Sequence, residues 1–144
     1  MTTSELLLQD VDIEMAGARK TLERVPEDKP DFKCHDKSMP MGKLAMHVAT
    51  LPLFATYILT NPSMDMAAPT HERADMTFRT RDVALATFDA NAAAARKALA
   101  AASDEDLAAN WKFSFGDRVI SNFPRSETYR IMFFNHLIHH RAQL

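Results

Sequence analysis

At 144 residues, 47% apolar and 25% charged, the chain is long enough to enclose one hydrophobic core and too apolar to be disordered. A formal net charge of −2, a pI of about 6.3 and singly scattered Lys and Arg leave no basic patch for nucleic acid or an anionic membrane. One cysteine, Cys34, excludes an internal disulfide and fits a reducing compartment. The opening stretch "MTTSELLLQDVDIEM" interrupts its apolar residues with acids, unlike a signal peptide, and no apolar run approaches the roughly 18 residues of a membrane span. The expectation is a single domain over residues 1–144, cytoplasmic, with neither membrane nor nucleic acid as partner. Glycine is scarce, at Gly17, Gly42 and Gly116 alone. Phosphate-binding loops use several glycines, and tight hairpins of an all-β fold need residues tolerant of positive φ. Abundant Ala and Met instead favour helix.

Four stretches have helical period. The first runs from Ser4 to Val25, capped by Ser4 or Thr3, with Leu7, Leu8, Val11, Met15, Ala18, Leu22 and Val25 at three- and four-residue steps. Pro26 stops it. The second runs from Ser38 to Thr60 with Pro40 in its first turn, and Leu44, His47, Val48, Leu51, Phe54, Ala55 and Ile58 lie on one face. Pro52 lies inside it, so a kink or a displaced carbonyl is expected nearby. The segment "TNPSMDMAAPTHERADMTF" has two prolines and little periodicity, and reads as a loop over one end of the fold.

The third helix covers Thr80 to Ala102, with a thin stripe of Ala84, Phe88, Asn91, Ala95, Leu99 and Ala102. Ser103 and Asp106 suit a short capped turn after it. The fourth runs from Pro124 to the end, with Tyr129, Met132, Phe133, His136, Leu137, His140 and Leu144 facing inward. The links between helices are longer than the two to eight residues usual in up-down-up-down bundles, and long links permit crossovers. The fold class expected is all-α, a four-helix bundle.

Three of the six histidines crowd the last ten residues, "NHLIHHRAQL". His136 and His140 are four apart on a helix, so both rings leave one face a turn apart and can share a metal ion. Such a pair on an apolar face is more often structural than ligating. Here, however, residues 129 to 144 contain no Asp or Glu to satisfy buried imidazoles, and a metal would satisfy one nitrogen of each. His47, on the apolar stripe of the second helix, completes a three-nitrogen set with open positions, suited to Zn, Ni or Fe rather than Mg or Ca. His139 points about 100° away from His140 and is read as non-ligating. His35 and His71 fall in loops. A purification tag would be an uninterrupted run, which this is not.

"MGKLAMHVATLP", "SDEDL" and "NHLIHHRAQL" together resemble the DinB-like superfamily, and the resemblance covers almost the whole chain. Its most specific part is the His in the second helix combined with His-x-x-x-His-Arg-x-Gln-Leu in the last. The resemblance implies an up-up-down-down bundle with long crossover links, a histidine triad of His47, His136 and His140 on a divalent metal, and a homodimer. Members of that family usually run on past this motif, whereas this sequence stops at Leu144, which leaves room for a missing C-terminal segment. The family includes thiol-dependent S-transferases and isomerases, hydrolases, and members without a known reaction.

One expectation is therefore a metal-dependent enzyme acting on a small-molecule substrate, either an S-transferase using a low-molecular-weight thiol or a hydrolase. A divalent ion on three neutral imidazoles keeps its full charge and lowers the pKa of a thiol or water. Asp10, Glu14 and Asp89 are the acids to examine as general bases, Asn91 a residue to orient a ligand or to satisfy core polar groups. Cys34, in a linker, is a free surface thiol by default. The alternatives are a non-catalytic, stress-related binding protein with the metal as a structural pin, and a metal-free bundle whose nine methionines line a ligand cavity.

Overall fold

The structure, a computed structural model, describes residues 1–69 and 73–144. It is mostly helical, with one small three-stranded sheet. Helix α1 (Thr3–Leu22) starts at a capping box: Thr2 Oγ1 accepts the Glu5 N–H at 3.2 Å, and Glu5 Oε2 accepts the Thr2 N–H at 2.7 Å. The cap is thus Thr2 rather than Thr3 or Ser4. The expected stripe is buried at Leu7, Val11, Ala18 and Leu22, and Val25 is buried beyond the helix end.

Helix α2 (Met41–Thr60) begins three residues later than expected, with Pro40 in extended conformation as its cap. Proline offers no side-chain acceptor, so the preceding link does the capping: Phe32 O takes the Met41 N–H at 2.9 Å and Pro30 O the Gly42 N–H at 2.8 Å. Helix α2 continues through Pro52, which has no N–H for the Val48 carbonyl. The next carbonyl, Ala49 O, accepts a hydrogen bond from Asn91 Nδ2 at 3.1 Å, so Asn91 satisfies core backbone. By length and composition α2 is apolar enough to cross a membrane, contrary to the expectation of no such run. Yet 61% of its apolar window is buried within the protein, and Ala45, Val48, Ala49, Ala55 and Ile58 are fully enclosed. Its apolar character is explained by its central position.

Helix α3 (Arg81–Ala101) is capped by Thr80 and buries Ala84, Phe88, Ala95 and Leu99 as expected. A short α4 (Asp104–Ala108) follows with the Ser103–Asp106 capping box. The last helix is one run in three parts: α5 (Arg125–Tyr129), a π turn (Arg130–Phe134) and α6 (Asn135–Gln143).

Cross-element pairs give the directions of the long helices. Arg19 with Asp89, and Arg96 with Asp12, make α1 and α3 antiparallel. Arg125 with the Ile58 carbonyl at one end, and His47 with His136 at the other, make α2 antiparallel to the last helix. Arg81 reaches the Val25 carbonyl, so α3 starts where α1 ends, and the Thr3 N–H reaches Asp104 just past the end of α3. The expected up-up-down-down order is thereby corrected: α1 and the last helix run one way, α2 and α3 the other. The physical reason lies in the first link, which is held at one end by the Pro30 and Phe32 carbonyls and turns the chain straight back. The residues flanking the α2–α3 link stand at opposite ends, Asn61 beside Arg125 and Arg81 beside Val25.

The sheet also departs from the all-helical expectation. Strand β1 (Ser63–Asp65) pairs in parallel with β2 (Asn110–Phe115), Met64 opposite Phe113, and β2 pairs antiparallel with β3 (Arg118–Pro124), Lys112 opposite Asn122. Gly116, at φ +57°, is the first residue of the two-residue turn, where a positive φ is required and glycine supplies it without strain. Trp111 on β2 is wholly buried and donates its indole N–H to Asn61 O at 2.9 Å.

Candidate metal centre

His47, His136 and His140 come together as the sequence pattern requires. Each offers a ring nitrogen, and these atoms lie within 4.8 Å of one another, all three side chains being partly buried. His47 projects from the first half of α2, and the other two leave one face of α6. The π turn directly precedes them: the Asn135 N–H bonds back to Arg130 O, five residues away, which widens the helix where the site begins.

The second nitrogens set the lone pairs. His136 Nδ1 donates to the Met132 carbonyl at 3.2 Å, and His140 Nδ1 donates to Gln143 Oε1 at 2.8 Å. With Nδ1 carrying the proton in both rings, each Nε2 presents a lone pair. His136 Nε2 stands 3.2 Å from His47 Nε2. Two imidazoles sharing a tetrahedral ion at 2.0–2.1 Å would stand about 3.3 Å apart. Without an ion, His47 can give one proton to one neighbour, and His140 Nε2 has no hydrogen-bond partner among the described residues. Surplus acceptors facing one another are the arrangement a cation satisfies, so the donor set fits a transition metal.

Electrostatics favours the ligating form. Burial, then the neighbouring His140, His136 and Lys43, bring the His47 pKa down from 6.5 to about 4. Burial also lowers that of His140, partly offset by its hydrogen bond to Gln143. His47 is therefore neutral at pH 7. His139 is exposed and outside the cluster, its ring against that of His140. His35 is exposed in the first link, while His71 lies outside the described residues.

The acids considered as bases are placed elsewhere. Asp89 is held by Arg19 and Glu14 by Arg141, while Asp10 is exposed on α1. Cys34 is exposed, with its Sγ 3.2 Å from Ser38 Oγ. Gln143 stands in the histidine motif of the last helix but its role as partner of His140 was not assigned from sequence, although its place three residues after His140 on the same helix was a usable signal.

A cleft of about 940 Å³ opens on the cluster, and His47 and His136 form part of its lining. Thr50, Phe54 and Tyr57 continue its wall along α2, and Met132 and Ile131 enter from the π turn. Phe113 comes from β2, and Met66 and Met76 from the long α2–α3 link. The described part of that link, read from sequence as a loop over one end of the fold, contributes to the cleft wall, with Met76 Sδ 3.4 Å from Thr50 Oγ1.

Residues 13–144 match the sequence profile of the DinB superfamily, and the chain belongs to that family. Neither a curated protein nor a solved structure matches the chain.

Proposed function

We propose that the chain binds one divalent transition metal, Zn, Ni or Fe, through His47, His136 and His140, and uses it to act on a small molecule in the adjoining cleft. The observation that carries this is the convergence of three imidazoles, two of which have their outer nitrogens already engaged: Met132 O holds His136 and Gln143 holds His140. Such outer partners orient ligands and raise their basicity. In this reading the four long helical runs form a four-helix bundle in up-down-down-up order, and the protein is a cytoplasmic homodimer.

When bound, the ion supplies a positive charge that favours the thiolate or hydroxide form of a nucleophile beside it. The protein's own residues do the rest. Neutral histidines leave that charge uncompensated, and the methionine and aromatic walls offer apolar surface beside it. The one acid in the described cleft lining, Asp65, accepts the N–H groups of Ala67 and Gly116. A thiol loses its proton more readily than water and asks less of such walls. S-transfer with a low-molecular-weight thiol is accordingly the leading reaction and hydrolysis the second.

The test starts with tag-free protein dialysed against metal-free buffer after loading, with metal content measured for the wild type and His136→Ala. One ion per wild-type chain and none in the variant is expected. Thiol donors and water are then compared against a panel of small electrophiles. Retained metal with no turnover by either donor would leave the structural-pin role instead.

A further inference from the structure

The wall of the cleft along α2 is a stripe of His47, Thr50, Phe54 and Tyr57, spaced three or four residues apart. Ten residues of helix separate its ends, about 15 Å at 1.5 Å per residue. The metal ligands stand at one end only. The cleft lining is largely thioether, aliphatic and aromatic, with Asp65 and Arg73 its charged members among the described residues. Two further apolar side chains at the cleft, Leu53 and Ile131, are 46% and 50% exposed. A surface left this apolar and this open gains most from a ligand that covers it.

We infer that the ligand of this cleft is an elongated amphiphile, with a metal-binding head at the histidines and an uncharged apolar body lying along α2 toward Tyr57. This rests on the metal reading above and adds the chemical class of the substrate. Flexible methionines on two sides let the walls adjust to bodies of different shape, so selection is by length and polarity more than by outline. A short, charged thiol would occupy the metal end and leave the rest of the cleft for this apolar partner.

The probes are acetohydroxamate, hexanohydroxamate and decanohydroxamate, one metal-binding head with growing tails, titrated calorimetrically into zinc-loaded protein. Affinity is expected to rise roughly threefold to fourfold per methylene until the tail passes Tyr57, as for a CH₂ leaving water. Ile131→Glu and Leu53→Glu, both at exposed positions where folding tolerates charge, are expected to flatten that rise. Zinc-dependent acetohydroxamate binding with no gain from the tail would overturn the inference and leave the metal site standing. Failure of the metal reading would show separately, as no zinc in the dialysed protein. That outcome removes the head-group part, and hexanol against decanol then tests the channel: equal binding overturns it, tighter decanol supports it.

Discussion

Helix α2 packs along the whole last helix, and two polar contacts between them are built on opposite principles. At the end of α2 the Arg125 guanidinium donates to the carbonyls of Ile58 at 2.8 Å, Asp106 at 2.8 Å and Asn61 at 3.2 Å, and Trp111 adds its indole N–H to Asn61. Donors there match acceptors, and a positive charge sits where a helix C-terminus presents free carbonyls. Near the start of α2, three imidazole nitrogens face one another with more lone pairs than protons. The first contact is complete within the chain and holds the fold. The second is incomplete within the chain and borders a cleft. Polar groups that converge without partners, rather than polar groups as such, mark the site.

That contrast can be broken at either contact. The largest change is expected from His136→Ala. Zinc at a thousandfold excess over its Kd should stabilise the wild type by about 4 kcal/mol and the variant by almost nothing. Urea unfolding with and without zinc measures it, and an equal zinc response in both would merge the two contacts into one structural class. Next comes Arg125→Met, which removes the Arg125 bonds to the Ile58 and Asp106 carbonyls and leaves Asn61 O with Trp111 alone, and should cost about 3 kcal/mol of stability whether or not metal is present. Its folded fraction should still take up one ion; lost uptake would mean the two ends are coupled.

Gln143→Ala sharpens the comparison on the site side. It should weaken metal affinity roughly tenfold while leaving the metal-free melting temperature unchanged, as read by competition with a chromogenic chelator. An effect of the same size on the metal-free fold would make Gln143 a structural residue. The smallest effect is on pH dependence. His47 has a pKa of about 4 in the folded chain and an ordinary 6.5 when unfolded, so between those values the unfolded chain binds more protons. Its contribution to metal-free stability is therefore full above pH 6.5, declines as pH falls toward 4, and changes no further below. Urea midpoints across that window should fall less steeply for His47→Gln than for the wild type.

Much of this could be read in the residues. The stripe of the last helix, with His136 and His140 among Tyr129, Phe133 and Leu137, follows from period alone, and His47 stands out as the polar member of an apolar face. The sheet escaped because residues 110–115 bury Trp111 and Ser114, three apart, so strict alternation is broken at the bulge between Phe113 and Ser114. Scarce glycine misled as well, since one residue, Gly116, suffices for a two-residue turn. Helix direction escaped for another reason: link length says how far a chain can travel, not whether it does. The link before α2 is long yet folds back at one end through backbone hydrogen bonds, which composition does not reveal. Glu14 and Asp89 looked available as bases because their partners, Arg141 and Arg19, are remote in sequence.

The most direct measurement is X-ray absorption on tag-free, metal-loaded protein together with its metal content. The metal reading requires one ion per chain with three imidazole nitrogens at about 2.0–2.1 Å, and no such signal in His136→Ala. No bound ion after dialysis, or an ion held equally well when His136 is removed, would contradict it.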